Sequence, residues 1–140
     1  MEAILTELRG IHNDERLNGT TQILLTEMVM QQGVVTRVQQ KRDDAKNRVS
    51  QVQDQERAMA TQAARFEDSA NATIDPVQKK QMTQMEDQMK QQVTNLKAQE
   101  PDRANDLQDA ETALRKEQDT LSGIQDELND VVRKLQPAAK

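Results

Sequence analysis

From Leu24 to Ala70 the apolar residues recur at alternating steps of four and three. The stripe reads Leu24, Met28, Gln31, Val35, Val38, Arg42, Ala45, Val49, Val52, Glu56, Met59, Ala63, Phe66 and Ala70. A mean spacing of about 3.5 residues predicts a helix whose apolar edge is a narrow coiled-coil seam. A second stripe runs through Met82, Met89, Val93, Leu96, Glu100, Arg103, Leu107, Ala110, Leu114, Glu117, Leu121, Ile124, Leu128, Val131 and Leu135, with Met85 and Gln92 beside it. Its frame also holds from end to end.

Asn71-Ala72-Thr73-Ile74-Asp75-Pro76-Val77-Gln78 separates the stripes. Asp75 is a good N-cap, Pro76 suits the first helical position, and Gln78 stands where a capping box wants Glu or Gln. The first helix is therefore expected to stop near Asn71 and the second to begin near Pro76. So short a link makes them antiparallel neighbours. The predicted fold is all-α: a long antiparallel two-helix coiled-coil hairpin with arms over about 20–70 and 76–136 and a turn at 71–75. Each arm of about 50 residues would be roughly 75 Å long at 1.5 Å per residue. Pro101 costs the helix interior a hydrogen bond. Because the apolar frame passes through it unshifted, the expectation is a kink near Pro101, with a break into three or four helices as the alternative.

Folding about residue 73 or 74 places Leu24 beside Ile124, Met28 beside Leu121, Val35 beside Leu114 or Ala110, Val52 beside Leu96, and Met59 beside Met89. Polar interruptions then coincide, with Gln31 near Glu117 and Arg42 near Arg103 and Glu100. Ala63 faces Met82 and Met85, and Lys41 falls where it can pair with Asp106. On this reading the second arm overshoots the first, leaving Leu128, Val131 and Leu135 without partners after Leu24; the N-terminal helix could fold onto that overhang, or both could be offered to a partner.

Ile4, Leu8 and Ile11 form a short stripe out of frame with the rest, so residues 1–17 read as a separate amphipathic helix. Asn18-Gly19-Thr20-Thr21 is expected to break and restart the chain, with a threonine as cap. Ile4, Leu8, Ile11, Val131 and Leu135 are the candidate partner-docking residues, and 137–140 reads as a disordered tail. Asn18-Gly19-Thr20 and Asn71-Ala72-Thr73 match the glycosylation pattern, but both fall in these proposed breaks and read as turn chemistry.

Composition narrows the choice. Only 34% of the 140 residues are hydrophobic and 1% aromatic, with Phe66 the single aromatic. A broad globular core leans on several aromatics, so this chain must bury a narrow seam. The 4 Gly and 3 Pro among abundant Gln, Ala, Glu, Lys, Leu and Met favour helix over disorder. A net charge of −5 with interspersed signs argues against nucleic acid as partner. Ile23 to Val35, the most apolar stretch, is interrupted by Glu27, Gln31 and Gln32, which excludes a membrane span there. No cysteine is present, which suits a reducing compartment. The acidic start lacks signal-peptide features. These readings give a cytoplasmic expectation, with signal-less export as the other route.

Candidate chemistry is thin. His12 with Asp14 and Glu15, Asp43-Asp44, and Asp102 with Asp106 and Asp109 read as solvated acidic faces rather than metal sites. There is no phosphate loop, nucleophile elbow or zinc motif. The expectation is no enzyme, no cofactor, no metal and no small-molecule substrate. The residues expected to carry function are those of the protein-interaction seam: Leu24, Met28, Val35, Val38, Val49, Val52, Met59, Phe66, Met82, Met89, Leu96, Leu107, Leu114, Leu121, Ile124 and Leu128. Met82, Met85 and Met89 read first as packing near the turn and second as an adaptable grip. Val29, Val34, Val77 and Val132, beside the seam, are natural second contacts. Polar seam residues such as Arg42, Glu56, Glu100, Arg103 and Glu117 would fix register.

A lone two-helix seam with these interruptions needs self-association or a partner to complete it. The function expected is a structural or assembly role, as spacer, brace or adaptor in a larger protein complex. The alternative is an export-apparatus component: stalk, filament subunit or chaperone. In general shape the expected hairpin resembles the two-helix stalks of bacterial export machines, which tend to be more basic.

Overall fold

The computed structural model describes residues 2–135, with side chains from Glu15 onward. Two helices account for nearly all of them: α1 (Glu2–Ala72) and α2 (Pro76–Leu135), packed against each other. The helices contribute to two compact units, one of residues 41–111 and one combining the segment up to Gln40 with that from Thr112 on.

The 41–111 unit contains the turn. Thr73, Ile74 and Asp75 are its only non-helical residues. The Thr73 N–H donates to the Ala70 carbonyl at 3.4 Å, and its hydroxyl to the Ser69 carbonyl at 2.7 Å. Asp75 caps α2: its Oδ1 accepts from the Val77 N–H at 3.0 Å while its carbonyl accepts from the Lys79 N–H at 3.0 Å. Pro76 needs no donor at that position. Ile74, between the two helix ends, is 98% exposed.

Within this unit Ala45, Val52, Ala63 and Ala70 are buried, and Val49, Met59 and Phe66 half-buried, along α1. Met82, Met89, Val93, Leu96, Leu107 and Ala110 are half-buried along α2. Buried alanines let the helices approach closely. α2 runs unbroken through Pro101, which excludes the expected alternative of a shorter multi-helix bundle.

In the other unit Leu24 and Leu114 are buried, and Met28, Val35, Val38, Leu121, Ile124, Leu128, Val131 and Leu135 half-buried. The expected break at Asn18–Thr21 is absent, because α1 continues through it as helix. The Thr20 hydroxyl donates to the Arg16 carbonyl at 3.0 Å and that of Thr21 to the Leu17 carbonyl at 2.8 Å. Both threonines thus bond back into the preceding turn instead of accepting from a new helix start. Residues 1–17 are therefore not a separate helix. The side chains of Ile4, Leu8, Ile11 and His12, and the tail 137–140, lie outside the described residues.

This continuity carries α1 past Leu24 toward the expected overhang. Leu17 and Thr21 stand in frame with Leu24 and are half-buried, so α1 extends the seam alongside Leu128, Val131 and Leu135.

Because Leu114 is buried and Ile74 fully open, the two test the seam directly. Leu114→Ala is expected to lose about 2–3 kcal/mol of unfolding free energy by urea-monitored circular dichroism. Ile74→Ser should stay within about 0.5 kcal/mol of the parent.

Candidate protein-interaction seam

Cross-helix neighbours fix which layers meet. Gln31 Nε2 donates to Glu117 at 3.0 Å (carbonyl) and 2.6 Å (Oε2), as the sequence pairing anticipates. In the 41–111 unit, however, the neighbours fall one turn farther along α2 than expected. Met59 lines a shallow cleft with Gln92 and Leu96, not Met89. Ala63 shares another with Lys90 and Val93, not with Met82 and Met85. Met82 lies instead at the turn, its Sδ 3.6 Å from the Thr73 hydroxyl.

The physical reason lies in the frame itself. A fold axis at residue 74 matches seam to seam only at every second layer. Moving it one half-turn along the chain, about residue 76, matches all of them. Val52 then faces Glu100, Glu56 faces Leu96, Met59 faces Val93, Ala63 faces Met89 and Ala70 faces Met82. On such an axis the small Ala63 and Ala70 of α1 would meet the larger Met89 and Met82 of α2, the way close-packed layers fill. The observed pairs bracket this register. Gln31 reaches one turn to one side of it, and Glu56 one turn to the other, toward Glu100.

Every seam residue proposed from the sequence is buried or half-buried, save the polar Glu100, which is exposed. The seam holds one residue more than the apolar stripes show. Glu86 stands at the missing step between Met82 and Met89 and is only 8% exposed, whereas Met85 is exposed. The steps of four and three point to it, and Lys90, one turn later, supplies a partner at 2.5 Å. The hydrogen bond to Glu86 and its negative charge raise the Lys90 pKa, with Glu67 and Asp87 adding to the effect.

The seam arginines satisfy themselves locally rather than across the helices. Arg42 Nε pairs with Asp43 at 2.8 Å and Arg103 with Asp106 at 3.8 Å. The expected clustering of Arg42 with Arg103 and Glu100 is thus replaced by pairs on one helix. Asp106, expected opposite Lys41, is engaged by Arg103. A long arginine stem lies along the apolar edge while its head turns outward.

Glu56 and Glu100 bring two carboxyl groups together. A hydrogen bond with Glu100 raises the Glu56 pKa, removal from water and the Glu100 charge add to the shift, and Lys97 opposes it. Glu56 Oε1 is shielded from solvent and has no hydrogen-bond partner.

Among the described residues no group of three or more His, Cys, Asp or Glu is placed to hold a metal ion. No described helix is long and apolar enough to cross a membrane. No family model, curated protein or solved structure matches the chain.

The carboxyl pair generates a pH prediction. A group whose folded pKa lies above its unfolded value, about 4.3 for Glu, contributes stability that is complete below that value. The contribution is lost as pH rises through the raised folded pKa. Glu56→Gln removes the charge that burial and Glu100 disfavour and supplies a permanent amide donor. Its thermal midpoint should exceed the parent's at pH 7 and converge with it near pH 4. An equal gap at both pH values contradicts a raised Glu56 pKa as its source.

Proposed function

We propose that the chain is an antiparallel coiled-coil hairpin with a non-enzymatic role as spacer, brace or adaptor in a larger protein complex. The observation that carries this reading is the apolar surface left outside a narrow seam. Ile23, Leu25, Val29 and Met30 are all exposed within one stretch of α1. A helix apolar on several faces is normally covered on several faces. The two-helix seam covers only one of them.

The energetics point the same way. Buried side chains are few, many are alanine, and polar residues interrupt the seam at Gln31, Arg42, Glu56, Glu86 and Glu117. Such positions specify register at a cost in stability, which added helix-on-helix contact offsets. Val29, Val77 and Val132 are exposed beside the seam, while Val34 is half-buried.

A second reading, an export-apparatus stalk or chaperone, is favoured by Ile74, Val77 and Met85, which are exposed around the turn. Affinity for an export ATPase ring, lost on replacing these three by Ser, separates it from the first.

Gentle isolation of the tagged protein under native conditions, with co-purifying chains counted by mass spectrometry, tests the leading reading. Defined partner chains at fixed stoichiometry are expected. Recovery of this chain alone contradicts the adaptor role.

A further inference from the structure

Within the 41–111 unit, three separate weaknesses coincide at one level of the seam. On α1, Glu56 stands between buried Val52 and half-buried Met59. Its Oε1 is shut off from solvent with no hydrogen-bond partner, a setting that penalises a carboxylate when it is ionised. On α2, Glu100 meets Glu56 and is followed by Pro101. Pro101 has no N–H, so the Lys97 carbonyl one turn earlier loses its usual helical donor. Packing is also incomplete. A cleft of about 340 Å³ opens here between Gln55 and Met59 of α1 and Gln92, Asn95 and Leu96 of α2.

No cation bonds to Glu56. Among the described residues no ion pair engages it. On its own helix Arg57 is held by Asp54 at 3.9 Å, and both side chains are well exposed. The charged groups of α2 on this side are Glu100, Lys97 and Arg103, and Arg103 is engaged by Asp106 at 3.8 Å. Glu100 is exposed, which leaves the half-buried Glu56 as the group whose charge is confined.

We propose that this level of the seam is a proton-operated latch. It is closed when Glu56 is protonated and opens locally when Glu56 is ionised, while the layers around buried Ala45 and Ala63 stay packed.

In the open form water reaches both Glu56 oxygens, and the carboxyl titrates near the ordinary value of about 4.3. In the closed form Glu100, first through a hydrogen bond, and then burial hold the Glu56 pKa above its ordinary value, with Lys97 opposing. Closure is therefore fully favoured below about 4.3 and is lost progressively as pH rises through the raised folded value. Opening needs little rearrangement, because the level has a cleft beside it and one helix bond fewer than its neighbours. A filled layer would resist it. Acid thus stiffens the 41–111 unit, and neutral pH gives it a joint.

Amide hydrogen exchange on the full chain, read as protection factors near pH 5 and near pH 7.5, measures local opening directly. Protection at residues 53–59 and 97–104 is expected to fall several-fold between the two, while that at 24–38 holds. Glu56→Gln, which carries no charge at either pH, should remove the fall and keep the higher protection. Glu100→Gln should reduce the fall. Pro101→Ala should raise protection at both pH values and leave the fall in place, which separates the missing bond from the charge. Protection at 53–59 and 97–104 that does not change with pH overturns the proposal, as does a fall that Glu56→Gln retains. A fall shared equally by 24–38 also overturns it, because the chain then loosens throughout and no local latch exists.

Discussion

The width of the apolar seam governs everything else in this molecule. With a single aromatic side chain and a mean hydropathy of −0.93, the chain has no material for a broad core. What it has is a line of mostly small and medium side chains repeated at seam spacing on two helices. Burying such a line requires that each layer of α1 meet a layer of α2, because a missed layer leaves apolar surface in water and polar groups in the wrong place. On this account the frame selects the register, and the turn accommodates it. Thr73, Ile74 and Asp75 suffice because Asp75 caps α2 at once and Pro76 starts it without a wasted donor.

Within that line the polar residues act according to their reach. Gln31 crosses to Glu117 and ties the helices together with a neutral donor and two acceptors. Arg42 and Arg103 turn aside to Asp43 and Asp106, which keeps their charges in water. Glu86 is covered but has Lys90 at its own carboxylate. Glu56 has no cation bonded to it and meets Glu100, which raises its pKa. Of these interruptions, only the last works against folding at neutral pH.

The two helices, the turn and the cap were readable because they rest on local rules: period, Asp75, Pro76. The continuous path through Asn18–Thr21 was not, since Asn, Gly and Thr favour breaks and caps by propensity. Here the in-frame Leu17 and Thr21 override that preference by extending the seam. Pro101 shows the same effect, because the frame on either side holds the helix through a residue that disfavours it. The pairing of Gln31 with Glu117 follows from an axis at the connector's midpoint, whereas in the 41–111 unit the neighbours lie farther along α2 than that axis gives. Glu86 is not legible as a seam residue from hydropathy, because a charged side chain breaks the apolar stripe at that step. The interaction surface was only partly legible: Ile23 and Met30 are plain as apolar residues, but their exposure follows only once the seam is known to lie elsewhere on α1.

The central claim is that layer matching sets the pairing of the helices, and the absence of native cysteines allows a direct measurement. Ala63→Cys is combined in turn with Met89→Cys and with Met82→Cys, and disulfide closure is followed under mild oxidation in monomeric, folded protein. A disulfide needs Cα atoms within about 7 Å, so only residues of one layer should close readily. The account predicts fast closure of the 63–89 pair and slow closure of the 63–82 pair. Faster closure of 63–82 would contradict it, placing the helices on the turn-centred register and leaving alternate layers unmatched.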